Sequence, residues 1–503
     1  MAVKKIRVRI APSPTGPLHI GTARTALFNY LFAKKHKGLF ILRIEDTDLE
    51  RSDPKFEQDI IENLKWLDIK WDEFYKQSER IETYKKYLLK LLEQGRAFYC
   101  YHSEEELEEE RKKKLKEKKP PIHICEHYQK PRPKNQKSKV RGIIRFRPPK
   151  KKIVFNDLIR GKIEFDSELL GDFSIAKDLN TPLYNFAVVI DDYEMKISHV
   201  IRGEDHISNT PKQILLYEAL GLPIPKFAHL PLILGPDRTK LSKRHGATSI
   251  REYRNQGYLP EALINFMALL GWNPGDEREI FSLKDLIKEF SLEKVQKSGA
   301  VFNIKKLDWL NGYYIRQKPI AKLTELCIPY LIKNGLIKPK FKTEQYPPAY
   351  GAYSLKEEYF ITETKEKITT ETLKKIIALE QERLKRLDEI GELAEFFFKD
   401  KLKYNPDLLK WKNMKKEELK NVLNKLKKLL NEIKEKDFRT EKLKNILMTE
   451  AEKLGDRGKL LWPLRVALTG KKASPPPFEI AEILGKKKTI QRIEQAQKII
   501  NRP

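Results

Sequence analysis

The sequence predicts an α/β chain: a doubly wound parallel-sheet domain carrying an insertion, followed by an all-α C-terminal domain. Three observations predict it. A strand–helix–strand unit opens the chain, strand signals return beyond residue 150 after a charged interruption, and helical periodicity dominates from about Gly257 onward. A parallel unit of that length needs a right-handed crossover packed on the sheet.

The opening strand is "KKIRVRI", whose charged and branched apolar residues alternate with period two. "APSPTGPLHIGTART" (Ala11 to Thr25) follows, with Pro12, Pro14 and Pro17 stiffening a loop that cannot continue the sheet. Gly16 and Gly21 allow a ligand close to the backbone. Ile20, Ala23, Leu27, Tyr30 and Leu31 then mark one face of a helix. His19 thus stands at a helix N-terminus, where free N–H groups and the dipole attract anions. A phosphate site and an ordinary βα turn are both compatible with this stretch alone. "GLFILRIEDTD" (Gly38 to Asp48) is the second strand, ending in acids.

Residues 100–150 interrupt the pattern. "EEELEEERKKKLKEKK" (Glu104 to Lys119) reads as a solvated helix with Glu108–Lys112, Glu109–Lys113 and Glu110–Lys114 spaced for i, i+4 pairs. On either side, Cys100, His102, Cys125 and His127 read C-x-H … C-x-H, four competent zinc ligands closing the base of an inserted hairpin. His123 lies next to this set, and two inert cysteines with surface histidines remain the alternative. Strand signals resume in "YNFAVVIDDYEMKISHVIRGEDH" (Tyr184 to His206), and "PKQILLYEALG" returns a helix. "LGPDRTKLSKRHG" (Leu234 to Gly246) is a turn crowded with Arg238, Lys240, Lys243 and Arg244. A doubly wound sheet brings such loops together at its carboxyl edge.

"KKLDWLNGYYIRQ" and "KTEQYPPAYGAY" mark a further boundary near 320–355. Beyond it, Leu419, Val422, Leu423, Leu426, Leu429, Leu430 and Ile433 form a core stripe flanked by lysines. Between Lys401 and Asn445 there are 15 basic and 7 acidic residues, a face suited to RNA phosphates or simply to water. The tail "GKKASPPPFEIAEILGKKKTIQRIEQA" is a proline break and one last amphipathic helix. Cys327 reads as a packed core residue.

The 503-residue chain has material for about three domains. Hydrophobic residues at 40% and charged residues at 34% suit a globular protein. The formal charge of +29 asks for a polyanionic partner, usually nucleic acid, unless lysine decorates every surface. No run of about 18 apolar residues exists, which argues against a membrane span. The chain enters its first strand at once, so no signal peptide is expected, and three cysteines fit a reducing cytoplasm.

The set "APSPTGPLHIGTART", "RIEDTD", "VIRGEDH" and "KLSKR" resembles the bacterial glutamyl-tRNA synthetases, a family of class I aminoacyl-tRNA synthetases, and "GKLLWPLRVALTG" extends the likeness to the C-terminal end. His19-Ile20-Gly21 matches the HIGH-type signature and Lys240 to Arg244 the KMSKS-type signature. Thr22 replaces the last histidine of the first signature, leaving no second imidazole there. The resemblance implies a Rossmann-like catalytic domain in two halves (1–99 and 151–250) around the insertion (100–150). It also implies a stem-contact helical domain (251–335) and an anticodon-binding domain (336–503).

It further implies ATP with Mg²⁺, L-glutamate and tRNA(Glu) as ligands, with tRNA(Gln) left open, a structural Zn²⁺ in the insertion, and a monomer. His19, Lys240 and Lys243 would be catalytic, and Gly16, Gly21, Ser242 and Arg244 would join them around ATP. Arg9 would face the substrate's side-chain carboxylate. Ser13 and Glu45 would hold the amino end, Tyr184 the pocket wall and Arg202 the α-carboxylate, with Ala11 and Asp205 as further glutamate-binding positions. Val188 departs from the polar contact of some relatives. Glutamine would leave Arg9 buried and unpaired, so strong rejection is expected. A glutamyl-Q tRNA(Asp) synthetase would lack the long helical end. A nucleotidyltransferase would not need Arg9 and Arg202 together, and an RNA-binding descendant would have lost His19, Glu45 and Lys243.

Overall fold

The computed structural model describes residues 5–48, 50–129, 142–340 and 358–501, which fall into two compact units. The first covers Met1–Asn255 and Pro260–Leu307, the second Gln256–Leu259 and Asp308–Pro503.

The first unit opens with β1 (Arg7–Ile10), α1 (Ile20–Lys35), β2 (Leu39–Ile44), α2 (Pro54–Trp66), β3 (Glu73–Lys76) and α3 (Ile81–Glu93). β1, β2 and β3 are parallel neighbours in that order. The predicted single apolar face of α1 understates its burial, since every residue from Ala23 to Ala33 is buried. Such a helix is enclosed on all sides.

The insertion supplies β4 (Ala97–Cys100), α4 (Glu104–Lys116) and β5 (Ile143–Phe146). Ser103 and Glu106 cap α4 reciprocally. Among the described residues Glu110–Lys114 is the one expected i, i+4 pair that closes, while Glu108 turns to Arg111. Then come β6 (Lys152–Asp157), β7 (Gly161–Asp166), β8 (Phe173–Asp178), β9 (Thr181–Pro182), α5 (Tyr184–Glu194), β10 (His199–Gly203), α6 (Thr210–Leu220) and β11 (Lys226–Leu230). β4, β5, β8 and β9 make a separate antiparallel sheet.

Ser198 N–H donates to the Arg7 carbonyl at 2.9 Å, which sets β10 beside β1. β10 pairs in parallel with β11, so the order runs β3-β2-β1-β10-β11 and the winding reverses between β1 and β10. A crevice opens at the carboxyl ends of strands at such a point. Tyr184 to Glu194 is a helix, not the strand predicted there. Phe186 to Asp192 are continuously buried, and an unbroken apolar run does not distinguish a buried helix from a buried strand.

β12 (Ile233–Leu234), α7 (Ile250–Asn255), α8 (Pro260–Leu269), α9 (Leu283–Glu289) and β13 (Ala300–Val301) complete this unit. α8 and α9 pack on α1 and close its outer face.

The second unit is mostly helical. It takes up the end of α10 (Ile304–Arg316), then α11 (Ile320–Lys333), a small antiparallel sheet of β14 (Ile337–Pro339), β15 (Tyr359–Ile361) and β16 (Lys367–Ile368), α12 (Thr370–Glu380) and α13 (Ile390–Phe398). The "KTEQYPPAYGAY" stretch lies outside the described residues. α14 (Lys416–Glu432), α15 (Thr440–Glu452), α16 (Gly458–Thr469) and α17 (Pro477–Ile500) pack together. Leu419, Val422, Leu423, Leu426 and Leu430 of the predicted stripe are buried on α14, while Leu429 is half-buried. The single terminal helix is instead kinked at Gly485, whose φ of 78° breaks the helix. Cys327 is fully buried in α11. No described helix is long and apolar enough to cross a membrane.

Candidate active site

A cavity of about 640 Å³ opens at the carboxyl ends of β1 and β10. Arg9, Ala11, Ser13, His19, Gly21, Glu45, Tyr184, Arg202, Asp205 and Lys240 all line it. Gly16, Ser242, Lys243 and Arg244, also expected here, do not. Arg244 turns away, donating to Thr239 at 2.6 Å and to Asp237 at 3.3 Å. Lys240 reaches the cavity rim, 3.4 Å from Asp205.

The loop after β1 is fixed by its own carbonyls. Glu45 N–H donates to the Pro12 carbonyl and Asp53 N–H to that of Pro14, both at 3.0 Å, while Asp59 accepts from Leu18 N–H at 2.8 Å. Prolines keep their acceptors though they lack donors, so the loop is pinned from outside. His19 is the N-cap of α1, its Nδ1 accepting from Gly21 N–H at 3.0 Å. A Cβ on residue 21 would stand 3.2 Å from that Nδ1, which is why glycine suits the position. Burial, then Lys240, holds the imidazole below its usual range. The neutral ring with Nδ1 accepting carries its proton on Nε2, which can donate to a phosphate oxygen.

The His19 turn is tied through backbone to the segment that follows the second cationic loop. Ile20 N–H donates to the Thr248 carbonyl at 2.8 Å and Ile250 N–H to that of Leu18 at 2.9 Å, so the segment following the Lys240 loop closes against the His19 turn.

Beneath the cavity lies a buried charge lattice. Arg9 donates to both oxygens of Asp192, at 3.0 and 3.2 Å. Arg43 donates to Asp192 at 2.8 Å and to Glu45 at 2.9 Å. Burial works against ionising Asp192, yet Arg9 and Arg43 hold its carboxyl below the usual range. Burial pushes Glu45 up despite Arg43. Asp191 accepts from Arg80 at 2.7 Å and from Gln77 at 2.8 Å, with Tyr84 also bonded. The expectation that glutamine would strand Arg9 is therefore corrected, because Asp192 pairs Arg9 without any ligand. Arg202 is different: it is 5% exposed, makes no ion pair among the described residues, and its Nη1 has no hydrogen-bond partner.

The sequence did not single out His206, Asn209 and Arg24, which also line the cavity, nor Asp192 and Arg43 below it. His206 Nδ1 lies 3.1 Å from the Tyr184 hydroxyl, and burial, then Arg202, pushes its pKa down to about 4. Adjacency to Asp205 in "RGEDH" was the available signal for His206. Asp192 sits on a stretch that read as strand, which hid its direction.

The insertion holds a second cluster. Ligand atoms of Cys100, His102, His123 and Cys125 all lie within 4.8 Å of one another. His123 takes the place the sequence gave to His127. Its Nδ1 contacts Glu110 and its Nε2 stands 3.8 Å from Cys100 Sγ, the orientation of a ligand with a carboxylate behind it. His127 is beside the cluster, with Nδ1 3.3 Å from Cys125 Sγ but also accepting Tyr101 N–H at 3.4 Å. Burial opposes it, but bonds from His123 and His102 hold the Cys100 thiol down to about 5.

The family of class I tRNA synthetases (E and Q), catalytic domain, matches residues 5–309, and an anticodon-binding domain family matches 322–497. A glutamate–tRNA ligase 1 of Caldicellulosiruptor saccharolyticus is 46% identical over 97% of this chain and 98% of its own length. One of Caldanaerobacter subterraneus is 45% identical over 99% and 98%. The crystal structure of a glutamate tRNA ligase from Elizabethkingia meningosepticum in complex with its amino acid is similar over 99% of this chain and 100% of that one, with TM-score 0.82 and 34% identity.

Proposed function

The chain belongs to the class I tRNA synthetases of the glutamate and glutamine branch, and from that premise we infer that it is a glutamate–tRNA ligase. It uses ATP to activate L-glutamate and transfers the glutamyl group to the 3′ end of tRNA(Glu). The observation that carries this is one cavity bringing His19 and Lys240 together with Arg9, Glu45 and Arg202.

A carboxylate needs no base at neutral pH, so catalysis is positioning and charge stabilisation. The substrate's α-carboxylate oxygen attacks the α-phosphorus of ATP as the bond to the pyrophosphate oxygen breaks. His19 Nε2–H and the start of α1 would steady the α-phosphate oxygens. Lys240, and Lys243 once its loop moves inward, would neutralise the departing pyrophosphate, to which Mg²⁺ adds positive charge. Ser242 and Arg244 would reach ATP by the same loop movement, and Gly16, in the pinned loop after β1, would let ATP lie close to the backbone. Arg9 would donate to the side-chain carboxylate with the N–H groups that Asp192 leaves free. Arg202 would take the α-carboxylate, and Ser13 and Glu45 the ammonium, with Ala11, Tyr184 and Asp205 walling the pocket. The 2′- or 3′-hydroxyl of the terminal adenosine then attacks the acyl carbon and AMP leaves.

The Cys/His cluster fits Zn²⁺, since Cys100, His102, His123 and Cys125 would supply two sulfur and two imidazole ligands and so staple the insertion. The five segments set out from the sequence, a monomeric state and a cytoplasmic location complete the proposal.

Aminoacylation of tRNA(Glu) and tRNA(Gln) transcripts, with pyrophosphate exchange run with and without tRNA, tests it. Glutamate should be charged onto tRNA(Glu), with exchange requiring tRNA; exchange independent of tRNA, or no charging of tRNA(Glu), overturns it. The tRNA(Gln) arm decides whether a second tRNA is accepted.

A further inference from the structure

Arg202 is held by neutral acceptors alone. Its Nε donates to His229 Nε2 at 3.2 Å and its Nη2 to the Thr210 hydroxyl at 2.8 Å. His229 is fully buried and Thr210 is too. The imidazole can accept at Nε2 only if its proton sits on Nδ1, and Nδ1 lies 2.7 Å from Asp157 Oδ2. Asp157 is itself fixed: its Oδ1 accepts from the backbone N–H groups of Ile159, Arg160 and His229 at 3.0, 2.8 and 3.2 Å. The order is thus turn, carboxylate, imidazole, guanidinium, cavity.

We propose that Asp157 and His229 are positioning residues that fix one imidazole tautomer and so aim the unpaired Nη1 of Arg202 at the substrate carboxylate. The proposal rests on the reading of Arg202 as a carboxylate-binding group. The reverse tautomer would turn His229 Nε2–H toward the Thr210 hydroxyl, 3.1 Å away and already the acceptor of Arg202 Nη2, and would leave Arg202 Nε–H facing a donor, so the guanidinium would lose one of its two fixed acceptors. A carboxylate partner in place of His229 would cancel the charge that the ligand needs. A neutral acceptor orients the cation and leaves its charge for the substrate.

The substitution that exposes this is Asp157→Asn. An asparagine keeps its carbonyl oxygen on the three backbone donors of the turn, which puts its NH₂ against His229 Nδ1. That nitrogen must then accept, and the proton moves to Nε2. A merely structural Asp157 would tolerate the isostere. Similarly, His229→Gln can place its amide oxygen near the former Nε2 and keep an acceptor for Arg202, while His229→Leu removes it.

The test is tRNA-dependent pyrophosphate exchange by the full chain with tRNA(Glu), reading KM for glutamate and for ATP separately. His229→Leu and Asp157→Asn should each raise KM for glutamate about 10- to 100-fold, the range of one charged hydrogen bond, with KM for ATP changed less than about threefold. His229→Gln should recover to within about fivefold of the parent. Arg202→Ala is the control. If it leaves KM for glutamate unchanged, the reading of the site fails. If it raises KM while Asp157→Asn does not, or if His229→Gln is as impaired as His229→Leu, the tautomer relay is overturned. Should His229→Leu not fold, Asp157→Asn, whose turn is intact, still decides.

Discussion

Asp192 holds Arg9 and Arg43 at once, with Arg9 Nε 3.0 Å and Arg43 Nη1 2.8 Å from the same oxygen, Oδ1. Both arginines and the aspartate are buried, so Arg9 is oriented before any ligand arrives. Pre-orientation saves the entropy of fixing a long side chain at the moment of binding.

Arg9→Ala should therefore cost twice. It should raise KM for glutamate about 100-fold or more and lower unfolding stability by about 2 kcal/mol, since Asp192 loses a bidentate partner in a buried place. Arg9→Lys should rescue neither, because an ammonium cannot bridge both carboxylate oxygens and still reach the cavity. Glutamate titrations and urea midpoints check this. Unchanged glutamate kinetics in Arg9→Ala would remove Arg9 from the substrate site.

His19 has two separable duties, capping α1 through Nδ1 and presenting Nε2–H to the cavity. Asparagine is an excellent N-cap but its amide does not extend to the position of Nε2. His19→Asn should keep the melting temperature within a few degrees while lowering kcat for pyrophosphate exchange about 100-fold, the scale of losing one donor to a charged oxygen. His19→Ala should lose the same activity and about 1 kcal/mol of stability in addition. Equal activity of His19→Asn and the parent protein would show that the ring acts only as a cap.

These features differ in how they were legible. His19, Lys240, Arg9 and Glu45 stand in loops or at strand ends, where residue type and local spacing reveal chemistry directly. Asp192, Arg43 and His229 act across more than 100 residues of sequence or from within apolar runs, so only the fold brings them to the site. α5 reads as strand for a related reason, because burial on all sides erases the periodicity that separates helix from strand. Lys243 and Arg244 were legible as motif members, but their geometry depends on where a flanking loop rests. The choice between His123 and His127 is decided by the path of a short 3₁₀ turn, Glu126–Tyr128, which spacing does not encode.

The Cys/His cluster should bind one Zn²⁺ per chain. Cys125→Ser should reduce zinc below about 0.1 per chain and expose the insertion to proteolysis, since a structural site contributes directly to folding. His123→Ala should lose metal in the same way and His127→Ala should keep it. Zinc measured by mass spectrometry on untagged protein tests both statements. Retention by His123→Ala with loss in His127→Ala would return the fourth ligand to the C-x-H pattern.

Acid should destabilise the first unit through its buried histidines. His199 is 8% exposed, its ring 5.1 Å from Phe32, and burial first, then Lys226 and His36, pushes its pKa down to about 4. In the unfolded chain the same group titrates near 6.5. Between these values the unfolded state binds a proton that the folded state refuses, so stability rises with pH across that window. The contribution is complete above about pH 6.5 and lost progressively toward pH 4, at most about 3 kcal/mol. His206, with its pKa likewise down at about 4, adds in the same direction. His199→Phe keeps the aromatic contact with Phe32 and removes the titration, so its unfolding free energy should fall less steeply between pH 6.5 and 4.5, by close to one proton in the slope. Urea unfolding at half-unit pH steps measures it. A parent and variant with parallel pH profiles would mean that His199 is protonated equally in both states, and that its burial does not exclude the charged form.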